Sequence, residues 1–184
     1  QRVILTLAGA YVDKGSLSQA EKYYQMGVKN TPDNPSANHN LALVRLRKGD
    51  YEGALAPASE AVSLKNNSAQ YHFTLGQILA NLNEVGSAIE HLNRAAELNQ
   101  DYLKPRLELG KVYISQEDYN KAEQVLQEAK RIFPKSFQVN FNLGDVYRLR
   151  GDDEQAIAHY QIAVEQKPDS LRAHNNMARS YISK

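Results

Sequence analysis

The stretch NLGDVYRLRGDDEQAIAHYQIAVEQKP, from Asn142 to Pro168, decides the fold. Around its start Val139, Leu143, Val146 and Tyr147 recur three and four apart, the spacing of one apolar face of a helix. Gly151 follows, a residue that accepts a left-handed helix end at little steric cost. A second periodic run then reaches Pro168, whose fixed φ and missing N–H discourage further helix. The stretch therefore reads as helix, turn, helix.

Outward from it the same unit recurs every 34 residues: Ala156 is preceded by Ala122, Ala88, Ala54 and Ala20 at that spacing. Ala8, Ala42, Gly76, Gly110, Gly144 and Ala178 form a small column, and Leu7, Leu41, Leu75, Leu109, Leu143 and Met177 a large apolar one. First helices are expected to end at Gly15, Gly49, Asn83 and Gly151, with Glu117 breaking the pattern. Second helices stop before Pro32, Pro134 and Pro168, where Asn66 and Gln100 replace proline in two units. Small residues such as Gly110 and Ala122 mark close helix crossings, and Ala61, Ala95, Ala129 and Ala163 do the same between units. Pro57 falls inside a second helix and leaves the Gly53 carbonyl without its helical donor, which predicts a bend or a late start there.

This pattern resembles the tetratricopeptide repeat family over the whole chain. It gives one domain, 1–184, with units 1–34, 35–68, 69–102, 103–136 and 137–170 and an unpaired first helix at about 171–184. The resemblance implies an all-α fold, a right-handed superhelical solenoid of antiparallel helix pairs whose first helices line a concave groove for proteins, usually held as peptides. One departure is the absence of the family's bulky aromatic early in the first helix, where Ile4, Asn38, His72, Arg106, Asn140 and His174 stand. Val3, Tyr71 and Val139, one residue earlier, are expected to take over that packing.

Composition excludes several other classes. Of 184 residues, 42% are hydrophobic and 23% charged, with 22 Lys plus Arg against 21 Asp plus Glu, so the chain is neither disordered nor collagenous. A net charge of +1 argues against nucleic acid as the ligand. Zero cysteines remove thiolate chemistry but are compatible with cytoplasm and periplasm alike. No apolar run reaches the length of a membrane span, so no membrane insertion is expected. No phosphate-binding or nucleophile motif is present, and no two histidines fall four apart on one helix, so neither an enzyme, a metal site nor a cofactor is expected. The start at Gln1, without Met, suggests a segment of a longer chain. The apolar strip of the last helix, Met177, Ala178 and Tyr181, then suggests either further sequence or end-to-end self-association.

The expected ligand is a protein or peptide. Columns opposite the buried ones carry Arg2, Arg47, Lys104, Lys111, Arg148, Arg172 and Arg179 against Asp13, Glu108 and Asp145, a surplus that favours a net acidic ligand. Asn40, Asn142 and Asn176 share a column suited to holding a peptide backbone, similar to the asparagine ladder of some family members. Phe73 and Phe141, with Leu5 and Leu107, form a column that either anchors apolar ligand residues or packs against the next unit. The carboxylate clamp by which some members hold chaperone tails is missing, since Leu5/Gly9, His39/Leu43, Phe73/Gln77 and Leu107/Lys111 occupy its positions. Gln127 and Glu128 are expected on the convex face. Two function classes follow: a peptide-binding scaffold, or a docking or assembly arm of a larger enzyme or of an envelope secretion or polysaccharide machine.

Overall fold

The computed structural model describes residues 2–184, which form eleven α-helices and no strand. The helices are α1 (Arg2–Asp13), α2 (Leu17–Asn30), α3 (Pro35–Lys48), α4 (Tyr51–Leu64), α5 (Ala69–Asn81), α6 (Val85–Leu98), α7 (Leu103–Ser115), α8 (Tyr119–Ile132), α9 (Phe137–Arg150), α10 (Asp153–Gln166) and α11 (Leu171–Ser183). Starts are set chemically. Asp50, Asp118 and Asp152 accept from the backbone N–H three residues on, and Asn34, Ser68, Ser136 and Ser170 cap α3, α5, α9 and α11. First helices end on left-handed residues, Gly15, Gly49, Asn83 and Gly151, and Glu117 adopts the same turn at φ 57°. Glu117, which departs from the Gly and Asn pattern in residue type, keeps the same geometry: the Asp118 N–H still reaches the Tyr113 carbonyl at 3.0 Å, and that bond helps hold a non-glycine backbone at positive φ.

The chain divides into two compact halves, 1–99 and 100–184. In the first, α1/α2, α3/α4 and α5/α6 pack as pairs, and α2 and α4 each pack on the pair that follows. In the second, α7/α8 and α9/α10 pair, α8 packs on α9 and α11 on α10. Facing residues are matched in size across each pair. A Cβ on Gly144 would lie 2.6 Å from the Tyr160 ring, and one on Gly76 2.8 Å from Leu92. Ala42, by contrast, shares its cluster with small Ala58. Ala20, Ala54, Ala88, Ala122 and Ala156 are all fully buried, as their column requires.

The column without the family aromatic has a different task here. Asn38, His72, Arg106 and His174 each reach the main-chain carbonyl six residues earlier, those of Pro32, Asn66, Gln100 and Pro168, at 2.7 to 3.0 Å. They tie the loop between repeats to the helix that follows it, giving loop carbonyls outside any helix a donor. Asn140 bonds Ser136 and Gln166 instead, and Gln166 reaches Pro134. Tyr71 and Val139 are buried as expected, whereas Val3 is 78% exposed. Helix α4 begins at Tyr51, in register with Tyr119 of α8, so the expected late start is absent. The Gly53 carbonyl that Pro57 deprives of a donor takes one from Arg45 Nη1 at 2.6 Å. Gln127 is half-buried, its amide 3.3 Å from the Tyr147 hydroxyl, so it is less exposed than a free surface residue.

Candidate peptide-binding face

In the first half, α3 and α5 carry Asn40, which is half-buried, and Phe73, which is buried. The face between them is closed by polar contacts. His39 Nε2 lies 3.0 Å from Thr74 Oγ1, its ring packs against Tyr71, and the Tyr71 hydroxyl meets Ser36 Oγ. Burial pushes the His39 imidazole down to about 4, so it is neutral at physiological pH. Of the charged columns this half carries only Arg2, Arg47 and Asp13.

In the second half, α7, α9 and α11 carry Lys104, Lys111, Phe141, Asn142, Arg148, Arg172, Asn176 and Arg179. Five cations stand there against two acids, so the surplus read from the sequence is concentrated in this half. Both acids are already engaged. Glu108 pairs with Lys111 at 3.0 Å. Asp145, only 15% exposed, accepts from the Tyr160 hydroxyl at 2.6 Å and from Asn176 Nδ2 at 2.8 Å, both on Oδ1, with Arg172 3.8 Å from Oδ2. Burial, and the carboxylate it donates to, push the Tyr160 hydroxyl far above its ordinary pKa, so it stays a donor. Among the described residues no carboxylate pairs with Lys104, Arg148 or Arg179, and the Arg148 Nε is buried without a hydrogen-bond partner.

The asparagine column is unevenly committed. Asn176 spends a donor on Asp145, while the side-chain amide of half-buried Asn142 has no hydrogen bond within the described residues. Phe141 is 5% exposed, stacked on Phe137, near Tyr160 and covered by Arg172, whose guanidinium carbon is 4.8 Å from the ring centre. Its column therefore packs, with an aromatic face lying directly beneath a cation. Sequence reading missed Asp145 as the hub of this face. Asn176 lies 31 residues beyond it, and the 34-residue frame puts such a position on the neighbouring first helix. Sequence reading also missed His72 and His91, whose Nδ1 atoms come within 2.9 Å at the edge of an open cavity of about 460 Å³ on α5 and α6. No group of three or more metal-ligating residues forms among the described residues, and no helix is long and apolar enough to cross a membrane.

Two family models match the chain: "Tetratricopeptide repeat" over residues 107–170 and "Anaphase-promoting complex, cyclosome, subunit 3" over residues 13–95. Similar proteins include human Protein O-mannosyl-transferase TMTC1, 25% identical over 95% of this chain and 20% of its own length. TPR repeat-containing protein MJ1428 of Methanocaldococcus jannaschii is 25% identical over 89% of this chain and 29% of its own length. The chain thus spans less than a third of these relatives. Among solved structures, MamA superposes with a TM-score of 0.80 at 23% identity, covering 93% of each chain. TTC0263, a thermophilic TPR protein of Thermus thermophilus, gives 0.76 at 22% over 98% of each. YrrB, described as a TPR protein with an unusual peptide-binding site, gives 0.75 at 20% over 94% of this chain and 89% of its own. With paired helices repeating every 34 residues, a tetratricopeptide repeat model matched at 107–170, an anaphase-promoting complex subunit 3 model matched at 13–95 and these structural neighbours, the chain is a tetratricopeptide repeat protein, a fold that serves as a protein–protein interaction scaffold.

Proposed function

We propose that the protein is a non-enzymatic scaffold whose first-helix face in the second half holds an extended, net acidic segment of a partner protein. The observation that carries this is the charge accounting of that face: its two acids are taken by neighbours, while Lys104, Arg148 and Arg179 have no carboxylate. Asn142, with an uncommitted amide, is suited to a ligand backbone because it both donates and accepts. In the first half Asn40 and Phe73 occupy the corresponding columns with little charge around them.

Exposed lysines mostly govern association and salt sensitivity, whereas a half-buried amide governs dissociation. Binding of fluorescent acidic peptides is therefore expected to respond in two ways. Lys104→Glu with Lys111→Glu slows association and flattens its salt dependence. Asn142→Ala speeds dissociation by an amount worth about 1–2 kcal/mol. Acidic peptides that bound no better than basic ones, or that ignored all three changes, would sink the reading. A second reading, a docking arm of a longer protein, is favoured by the small share of each relative that the chain spans; native flanking sequence decides it.

A further inference from the structure

The proposed peptide face leaves open which acidic segments it selects, and the arrangement of Arg172 bears on that. The Arg172 side chain is 77% exposed and makes two contacts, a 3.8 Å approach to Asp145 and a cation–π contact with Phe141. Both are weak for a solvated guanidinium: a single long ion pair in water contributes little, and so does an exposed cation over a ring. Asp145 does not depend on Arg172, because Tyr160 and Asn176 already hold its Oδ1 at 2.6 and 2.8 Å. A ligand carboxylate that takes the planar guanidinium fork with two hydrogen bonds outcompetes the single approach to Asp145. Moving Arg172 also uncovers the outer face of Phe141, whose other surroundings, Phe137 and Tyr160, are aromatic. One displacement thus opens a charged contact and an apolar one side by side.

We propose that Arg172 and Phe141 form a coupled subsite for an acidic residue and an apolar residue that lie on the same face of an extended partner segment, two positions apart. In an extended chain, residues i and i+2 share a face and lie about 7 Å apart, which suits a carboxylate beside an apolar side chain on the ring. The proposal rests on the acidic-peptide reading and narrows it from net charge to spacing.

Two blocked peptides of identical composition separate spacing from charge: repeats of Asp-Ser-Leu-Ser place Asp and Leu on one face, repeats of Asp-Leu-Ser-Ser on opposite faces. Fluorescence anisotropy with the full chain is expected to show the first isomer binding about fivefold more tightly. With Arg172→Ala the two isomers bind alike, and Arg172→Lys, which keeps the charge but loses the fork, retains only part of the preference. Ring-labelled phenylalanine should show the Phe141 resonance moving with the first isomer only. Equal binding of the isomers by the unaltered protein, or a preference that survives Arg172→Ala, overturns the subsite. If both isomers then still weaken with Lys104→Glu and Lys111→Glu, the broader acidic reading stands. If peptides with Lys in place of Asp bind as well, that reading falls too.

Discussion

Gly144 faces Tyr160, and the pair shows how tightly single residues are matched in this fold. A methyl group on Gly144 would meet Cδ1 and Cε1 of the ring at 2.6 Å, and a fully buried tyrosine bonded to Asp145 has no room to turn aside. Gly144→Ala is expected to lower stability by about 1–3 kcal/mol through overpacking. Gly86, in the first turn of α6, has nothing within 4 Å of its Cβ position. There the same substitution should gain about 0.5–1 kcal/mol by restricting the unfolded chain. Urea denaturation of both variants checks the contrast, and equal effects would mean that the helices do not approach as described.

At the scale of a helix, α4 tests how a proline is accommodated. Pro57 removes a donor, and Arg45 from α3 replaces it at the Gly53 carbonyl while also bonding Glu21 of α2 at 2.9 Å. Arg45 thus joins three helices at the weakest point of one of them. Arg45→Ala is expected to cost about 2 kcal/mol, because it strips a charged hydrogen bond from a carbonyl with no helical alternative. Lys48→Ala, on the same glutamate but more exposed, should cost under about 1 kcal/mol. Hydrogen exchange would show the amides of α4 opening faster in the arginine variant, with α8 unchanged. The existence of α4 was legible in the 34-residue period, and so was the orphaned carbonyl. Its rescue was not, because a long side chain from a neighbouring helix leaves no periodic mark. The loop ties of Asn38, His72, Arg106 and His174 escaped for a related reason: different residue types make one kind of bond, so the column looks like a missing aromatic.

Across the whole molecule the charged columns were legible because helix periodicity assigns a face to each position, yet which of those charges are already paired was not. That depends on contacts such as Asp145 with Asn176 on the next first helix. The same distinction governs behaviour in acid. Each half keeps a neutral imidazole inside, His39 in the first and His159 in the second, both pushed down to about 4 chiefly by burial. His159 stacks on Tyr147 with its Nδ1 unbonded; Lys130 lowers its pKa further and Glu123 opposes that, while Asn40 partly offsets burial at His39. Because the folded values lie below the unfolded value near 6.5, the unfolded chain binds more protons between the two. The stability these histidines confer is therefore complete above about pH 6.5 and is lost as pH falls towards about 4. Between about pH 7.5 and pH 5 each should cost its own half about 2 kcal/mol. His159→Leu keeps an apolar group beside Tyr147 and removes the titration. Hydrogen exchange at the two pH values should then show α9 and α10 losing less protection in this variant than in the parent, while α3 and α5 lose as much as before. Undiminished acid sensitivity in α9 and α10 would show that a different group carries the effect.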